Sequence, residues 1–176
     1  MGGANSDVSP RGKLRLFIQL LLGFIAGAIY PLAFAPFHFW PLTFASVAAL
    51  FWLLSRAQVW MPLIAWVFGL GKYAVGVSWI YVSIHEYGGA SPLLAGFMVA
   101  VFVAFMALFC LPIGWFLGNL KASNHNISNS ALAMGFVATW VLMEWMLTWF
   151  LTGFPWLFAG YSMPVSYTHL TLPTKA

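Results

Sequence analysis

Residues 92–117 read PLLAGFMVAVFVAFMALFCLPIGWFL, with no charged side chain among them. A bilayer core about 30 Å thick takes about 20 apolar residues in helical form, so this stretch alone is long enough to cross. The rest of the chain agrees. Of its 176 residues 62% are hydrophobic, 19% aromatic and only 6% charged, against a charged share of about 25% in soluble domains. So few charges do not cover a globule in water, and the apolar surface must face lipid. The sequence predicts an all-α polytopic membrane protein with about five transmembrane or membrane-embedded helices and no soluble domain in this chain.

Four further apolar runs lie at 14–30, 42–54, 59–84 and 131–151, of which 42–54 is short for a span. Between the first two stand Pro31, Pro36 and Pro41 with Phe34, Phe37, Phe39 and Trp40. Prolines forbid a regular helix there, yet the segment is too apolar for a hydrated loop. An interfacial turn closing a helical hairpin satisfies both. The basic start, the apolar run and Ala33-Phe34-Ala35 imitate a secretory signal with its cleavage site, but Pro36 would follow the cut and more apolar runs come after, so the segment is read as retained.

Seven Lys and Arg against three Asp and Glu give a formal charge of +4. Arg11, Lys13 and Arg15 stand at the start of the first run, Arg56 separates the second from the third, and Lys121 separates the fourth from the fifth. If the runs alternate in direction, all of these fall at one end. Basic loops stay in the cytoplasm, so residues 1–13 are expected to form a cytoplasmic N-terminal segment of a multi-pass protein. Such scattered charge makes no nucleic-acid footprint, and no nucleic-acid partner is expected. At the opposite end Ser91 and Pro92 read as the N-cap and first residue of the fourth helix.

Two ionisable groups lie inside apolar runs, where an unpaired charge is costly. Lys72 shares a stripe with Ala65, Gly69, Gly76 and Ser83. Small residues permit close helix approach, so Lys72 is expected against another helix, or else reaching a lipid headgroup. Glu144, with Thr148 and Thr152 at i+4 and i+8, draws a polar stripe toward Phe154-Pro155-Trp156. It either bonds Lys72 or nearby hydroxyls, or lines a substrate path. Trp40, Trp79, Tyr81, Tyr87 and Trp156 near one set of run boundaries, and Trp52, Trp60 and Trp115 near the other, fit an aromatic belt. His38, His85 and Glu86 lack the spacing of a metal motif, so no metal and no cofactor is expected. Cys110, the single cysteine, excludes an internal disulfide and reads as a core residue. No nucleophile with its base is apparent, and no catalytic residue is expected in this chain.

Three ordered groups of strings carry a family resemblance: Leu32-Ala33-Phe34-Ala35-Pro36-Phe37 with Trp40-Pro41; residues 76–84 with Tyr87-Gly88-Gly89; and Glu144-Trp145 through residues 151–157 to Gly160-Tyr161-Ser162. Together they resemble the amino-terminal membrane region of bacterial apolipoprotein N-acyltransferases. The resemblance implies an enzyme of the bacterial inner membrane that moves a fatty acyl chain from a phospholipid donor to the free amino group of the lipidated N-terminal cysteine of a lipoprotein acceptor, through a thioester. It also implies that the Glu, Lys and Cys catalytic residues belong to a nitrilase-like domain following the membrane helices. Residues 14–163 are then the N-terminal transmembrane region, inactive without that domain. Cys110, Glu144 and Lys72 do not correspond to the family's catalytic set.

Within the matching strings Trp156, Phe154 and Glu144 are the candidates for contact with acyl chains or for supporting the junction with the catalytic domain. After Ser162 the composition shifts abruptly to threonine, serine and proline, and 164–176 resembles translated adapter sequence, a tail expected to be non-native. Composition alone leaves two other readings open: a small transporter or channel with Lys72 and Glu144 on a solute path, or a membrane scaffold subunit. No oligomeric state follows from the sequence.

Overall fold

The computed structural model describes residues 10–34, 36–124, 126–150 and 153–163. In chain order these form α1 (Pro10–Ile29) with a 3-10 turn (Tyr30–Ala33), α2 (Pro41–Arg56), α3 (Met61–Gly76), α4 (Trp79–Val82) with a π turn (Ser83–Tyr87), α5 (Pro92–Ala107), a 3-10 turn (Leu108–Cys110), α6 (Leu111–Ser123), α7 (Asn129–Leu147) and α8 (Ala159–Ser162). Each of the five apolar runs contains helix, and no strand occurs among the described residues. Three helical stretches are long and apolar enough to cross a membrane: Pro10–Ala33, Pro92–Ser123 and Asn129–Leu147. A fourth joins them if Met61–Gly76 and Trp79–Tyr87 are one bent span, while Pro41–Arg56 is shorter. Leu93, Met134 and Phe17 are 85%, 74% and 63% exposed on the outer surface, as suits helices whose solvent is hydrocarbon.

Several boundaries differ from the hydropathy reading, each for a local reason. Helix α1 begins at Pro10, so Arg11 and Lys13 ride on its first turn. The remainder of the expected segment, 1–9, lies outside the described residues, as does the expected tail 164–176. The run at 59–84 is not straight: it bends by 51° between α3 and α4. The bend follows Gly76, where a Cβ would collide with the Leu157 side chain, and glycine is a usual site of helix kinks. The run at 92–117 continues to Ser123 but tightens to 3-10 geometry just ahead of Pro112, whose ring lacks an N–H and crowds the carbonyl of Leu108. Helix α7 ends at Leu147, so the polar stripe does not continue along it. Thr148 donates its hydroxyl to the Trp145 carbonyl at 2.6 Å, and Leu151 and Thr152 lie outside the described residues.

Helix α3 is the hub. It runs parallel to α1 so closely that a Cβ on Gly27 would meet the Phe68 carbonyl oxygen, and one on Gly71 the Phe24 carbonyl oxygen. Only glycine permits that approach. Antiparallel to α1, α2 is tied in by Ser46, which donates to the Ala26 carbonyl at 2.6 Å. Gly69 faces Ala107, and Gly114 faces Met61, setting α5 and α6 antiparallel to α3. Cys110 is fully buried with its sulfur 3.9 Å from that of Met143 on α7.

The basic side chains gather at one end. Arg15 donates to the Arg56 carbonyl at 3.4 Å. The Lys121 ammonium donates to the carbonyls of Leu54, Ser55 and Ala57 at 3.0, 2.7 and 2.9 Å, satisfying acceptors that the last turn of α2 leaves open. At the other end Ser91 caps α5 through the Leu94 N–H, with Pro92 as its first residue.

Candidate functional site

The chain between α7 and α8 makes a corner at the end opposite the basic residues. Gly153, at φ +83, turns the chain so that the Phe154 N–H reaches the Leu147 carbonyl at 2.7 Å. Further on, Leu157 is held at φ +60, a region that side chains other than glycine avoid. Two contacts hold it there. The Tyr30 hydroxyl donates to the Leu157 carbonyl at 3.0 Å, and the Leu157 side chain fills the notch over Gly76. The corner therefore fixes, and is fixed by, the ends of α1 and α3.

Glu144 clasps the same corner from α7. Its Oε1 accepts from the Trp140 indole N–H at 3.0 Å and from the Ala159 backbone N–H, the first residue of α8, at 2.8 Å. The carboxylate is thus satisfied by two donors from different elements, and Trp140 and Ala159 take the place expected for Lys72. Phe154 is half-buried; its ring meets Phe102 of α5 edge-on at 5.3 Å and stacks on Trp156 at 6.0 Å. Trp156 is 50% exposed and its ring lies 5.4 Å from Trp79 of α4. Phe102, Phe154, Trp156 and Trp79 form a continuous aromatic row across α5, the corner and α4.

Lys72 is completely buried, which excludes the headgroup role for its ammonium. Its Nζ has no hydrogen-bond acceptor among the described residues. Instead it stands 4.4 Å from the ring centroid of Tyr30, 5.2 Å from that of Trp140 and 5.4 Å from that of Tyr73. Ring faces attract a nearby cation, so the three rings are the favourable surroundings that the described residues offer the Lys72 amine. Trp140 serves both ionisable groups, its face toward Lys72 and its N–H toward Glu144.

Beside this cluster a partly open cavity of about 190 Å³ lies between α2 and α7, lined by Val47, Val137 and Trp140 together with Ala159 and Gly160. Thr43 lines it with a buried hydroxyl that has no partner among the described residues. An apolar chain of a few carbons fits such a space. Nucleophilic chemistry does not follow from these groups: Cys110 is sealed beneath Met143, and His85 is bonded through Nδ1 to the Ala90 carbonyl at 2.8 Å. Among the described residues no three His, Cys, Asp or Glu side chains gather as metal ligands would.

The sequence singles out Glu144, Phe154 and Trp156; the structure joins Phe154 to Trp156 and seats Glu144 on Trp140 and Ala159, and the sequence did not point to Tyr30, Trp140 or Leu157. Trp140 carried a signal, since it precedes Glu144 by one helical turn on α7. Tyr30 and Leu157 carried none, because their contact joins distant parts of the chain.

Residues 26–170 match the family described as apolipoprotein N-acyltransferase N-terminal domain. That stretch includes 164–170, the first part of the segment that the sequence sets apart by composition. Among similar proteins, the apolipoprotein N-acyltransferase of Pseudomonas paraeruginosa is 45% identical over 147 residues, 81% of this chain and 28% of the relative. That of Azotobacter vinelandii is 46% identical over 147 residues, 81% of this chain and 27% of the relative. That of Vibrio cholerae is 40% identical over 149 residues, 84% of this chain and 29% of the relative. The chain therefore spans little more than a quarter of the length of these relatives.

Proposed function

Because the chain belongs to the apolipoprotein N-acyltransferase family, we propose that residues 14–163 serve as the N-terminal membrane region of an enzyme transferring a fatty acyl chain from a phospholipid to the N-terminal amino group of the lipidated cysteine of a bacterial lipoprotein. The ordered match over 26–170 carries this reading and sets it above a transporter or a scaffold subunit. The protein resides in the bacterial inner membrane with its N-terminus in the cytoplasm. Its partners are the phospholipid donor and the lipoprotein acceptor. Within it Glu144 positions the corner, and the Phe154–Trp156 pair offers an aromatic face to acyl chains where the membrane helices meet the catalytic domain. Bond making and breaking fall to that domain, so the chain alone transfers nothing. Residues 164–176 add nothing to the role.

A graft tests this. Residues 14–163 replace the corresponding segment of the Pseudomonas paraeruginosa enzyme, and acyl transfer to a diacylated lipopeptide is followed by mass spectrometry. The chimera should transfer, the isolated chain should not, and a graft ending at 176 should match one ending at 163. A folded, membrane-inserted chimera without activity would overturn the assignment, and activity of the isolated chain would overturn its dependence on a further domain.

A further inference from the structure

At the basic end, well away from the corner, a cleft of about 370 Å³ opens between α1 and α2. Its rim is cationic, formed by Arg11 and Arg15 of α1 and Arg56 of α2, and its floor is apolar, with Leu14, Ile18 and Leu22 facing Leu53. Leu14, Ile18 and Leu22 are 59%, 46% and 41% exposed. The arginines are not loose. The Arg56 guanidinium lies 4.7 Å from the ring centroid of Trp52, which also lines the cleft, and Arg15 is tethered to the Arg56 carbonyl. None of the three is paired with a carboxylate among the described residues, where the only ion pair joins His85 to Glu86. Arg15 and Tyr30 stand fifteen residues apart, roughly 22 Å along a helix rising 1.5 Å per residue, so this cleft is separate from the corner and its aromatic row.

From this juxtaposition we infer that the cleft is a binding site for an anionic glycerophospholipid, its phosphodiester held by Arg15 and Arg56 with Arg11 beside them and one acyl chain laid along Leu14, Ile18 and Leu22. Three guanidiniums at the end of apolar helices, with no carboxylate partner among the described residues, suit an anion at headgroup level, and guanidinium forks match phosphate oxygens in pairs. The apolar floor needs a hydrocarbon chain. A free phosphate supplies the first and not the second, whereas a zwitterionic lipid brings its own cation against the arginines. This lipid is a bound component and not the acyl donor, since the cleft lies at the end opposite the corner proposed to meet the catalytic domain.

The test uses the full chain in nanodiscs of phosphatidylcholine containing chain-spin-labelled phosphatidylglycerol or phosphatidylcholine, with the immobilised fraction read by electron paramagnetic resonance. Immobilisation should favour phosphatidylglycerol by about tenfold, as expected for several arginines near one headgroup. Arg15→Gln with Arg56→Gln should abolish the preference. Ile18→Trp, at a lipid-facing position, should abolish it with every charge in place, and it decides the matter if the arginine pair fails to fold. Lys13→Gln, a cation of the same helix outside the cleft, should leave it intact. Equal immobilisation of the two lipids, persistence of the preference in Ile18→Trp, an equal loss in Lys13→Gln, or full competition by soluble glycerophosphate would overturn the proposal.

Discussion

Trp140 is the side chain on which the two intramembrane charges converge. Its face lies 5.2 Å from the Lys72 ammonium and its N–H donates to Glu144 at 3.0 Å. Trp140→Phe keeps an aromatic face over Lys72 and removes the donor, leaving Glu144 Oε1 with the Ala159 N–H alone. Loss of one hydrogen-bond partner from this part-buried carboxylate costs about 1 kcal/mol, so the variant should unfold at lower temperature in detergent. Because the indole links them, Lys72→Met and Glu144→Gln should together cost less than the sum of the separate losses. Strict additivity would show that the indole transmits nothing. Lys72 and Glu144 were legible in the sequence as charges in hydrocarbon that need compensation. What compensates Lys72 was not, because the rings come from Tyr30, Tyr73 and Trp140 on three different elements, and spacing along one helix is silent about the others.

At the scale of the helices, the contact of α1 with α3 depends on having no side chain at Gly27 and Gly71. A Cβ on Gly27 would strike the backbone of Phe68, which has no flexible end that could yield. Gly27→Leu should therefore separate the two helices and give no monodisperse folded species on size exclusion. Gly96→Leu should be tolerated, since nothing stands within 4 Å of a Cβ there. Similar behaviour of the two variants would contradict a backbone-to-backbone seam. The apolar runs, the Ser91 cap and the proline-rich hairpin were readable because polarity and capping chemistry are local. The bend after Gly76 and the end of α7 at Leu147 were not, because both stretches remain apolar through the break and hydropathy carries no information on backbone direction. The notch at Gly76 has meaning only once Leu157, far along the chain, is seated in it.

For the molecule as a whole, the alternation of helices determines which way the protein stands in the membrane. Arg15, Arg56 and Lys121 are hydrogen-bonded within a single patch that draws together the start of α1, the α2–α3 connection and the end of α6. The sequence predicted this clustering from the order of the runs, and the contacts realise it. Basic patches remain on the cytoplasmic side because translocating them is costly and anionic lipids attract them there. Cysteine labelling tests the orientation, but the cysteines belong beside the basic residues and not in their place, since removing a cation would itself weaken the signal. In a Cys110→Ala background, Gln58→Cys and Asn126→Cys occupy exposed positions in the two basic connections, and Glu86→Cys sits in the π turn at the opposite end. In intact spheroplasts a membrane-impermeant maleimide should label Glu86→Cys at once and reach the other two only after permeabilisation. The reverse pattern would put the Phe154–Trp156 corner on the cytoplasmic face and overturn the proposed orientation of the membrane region.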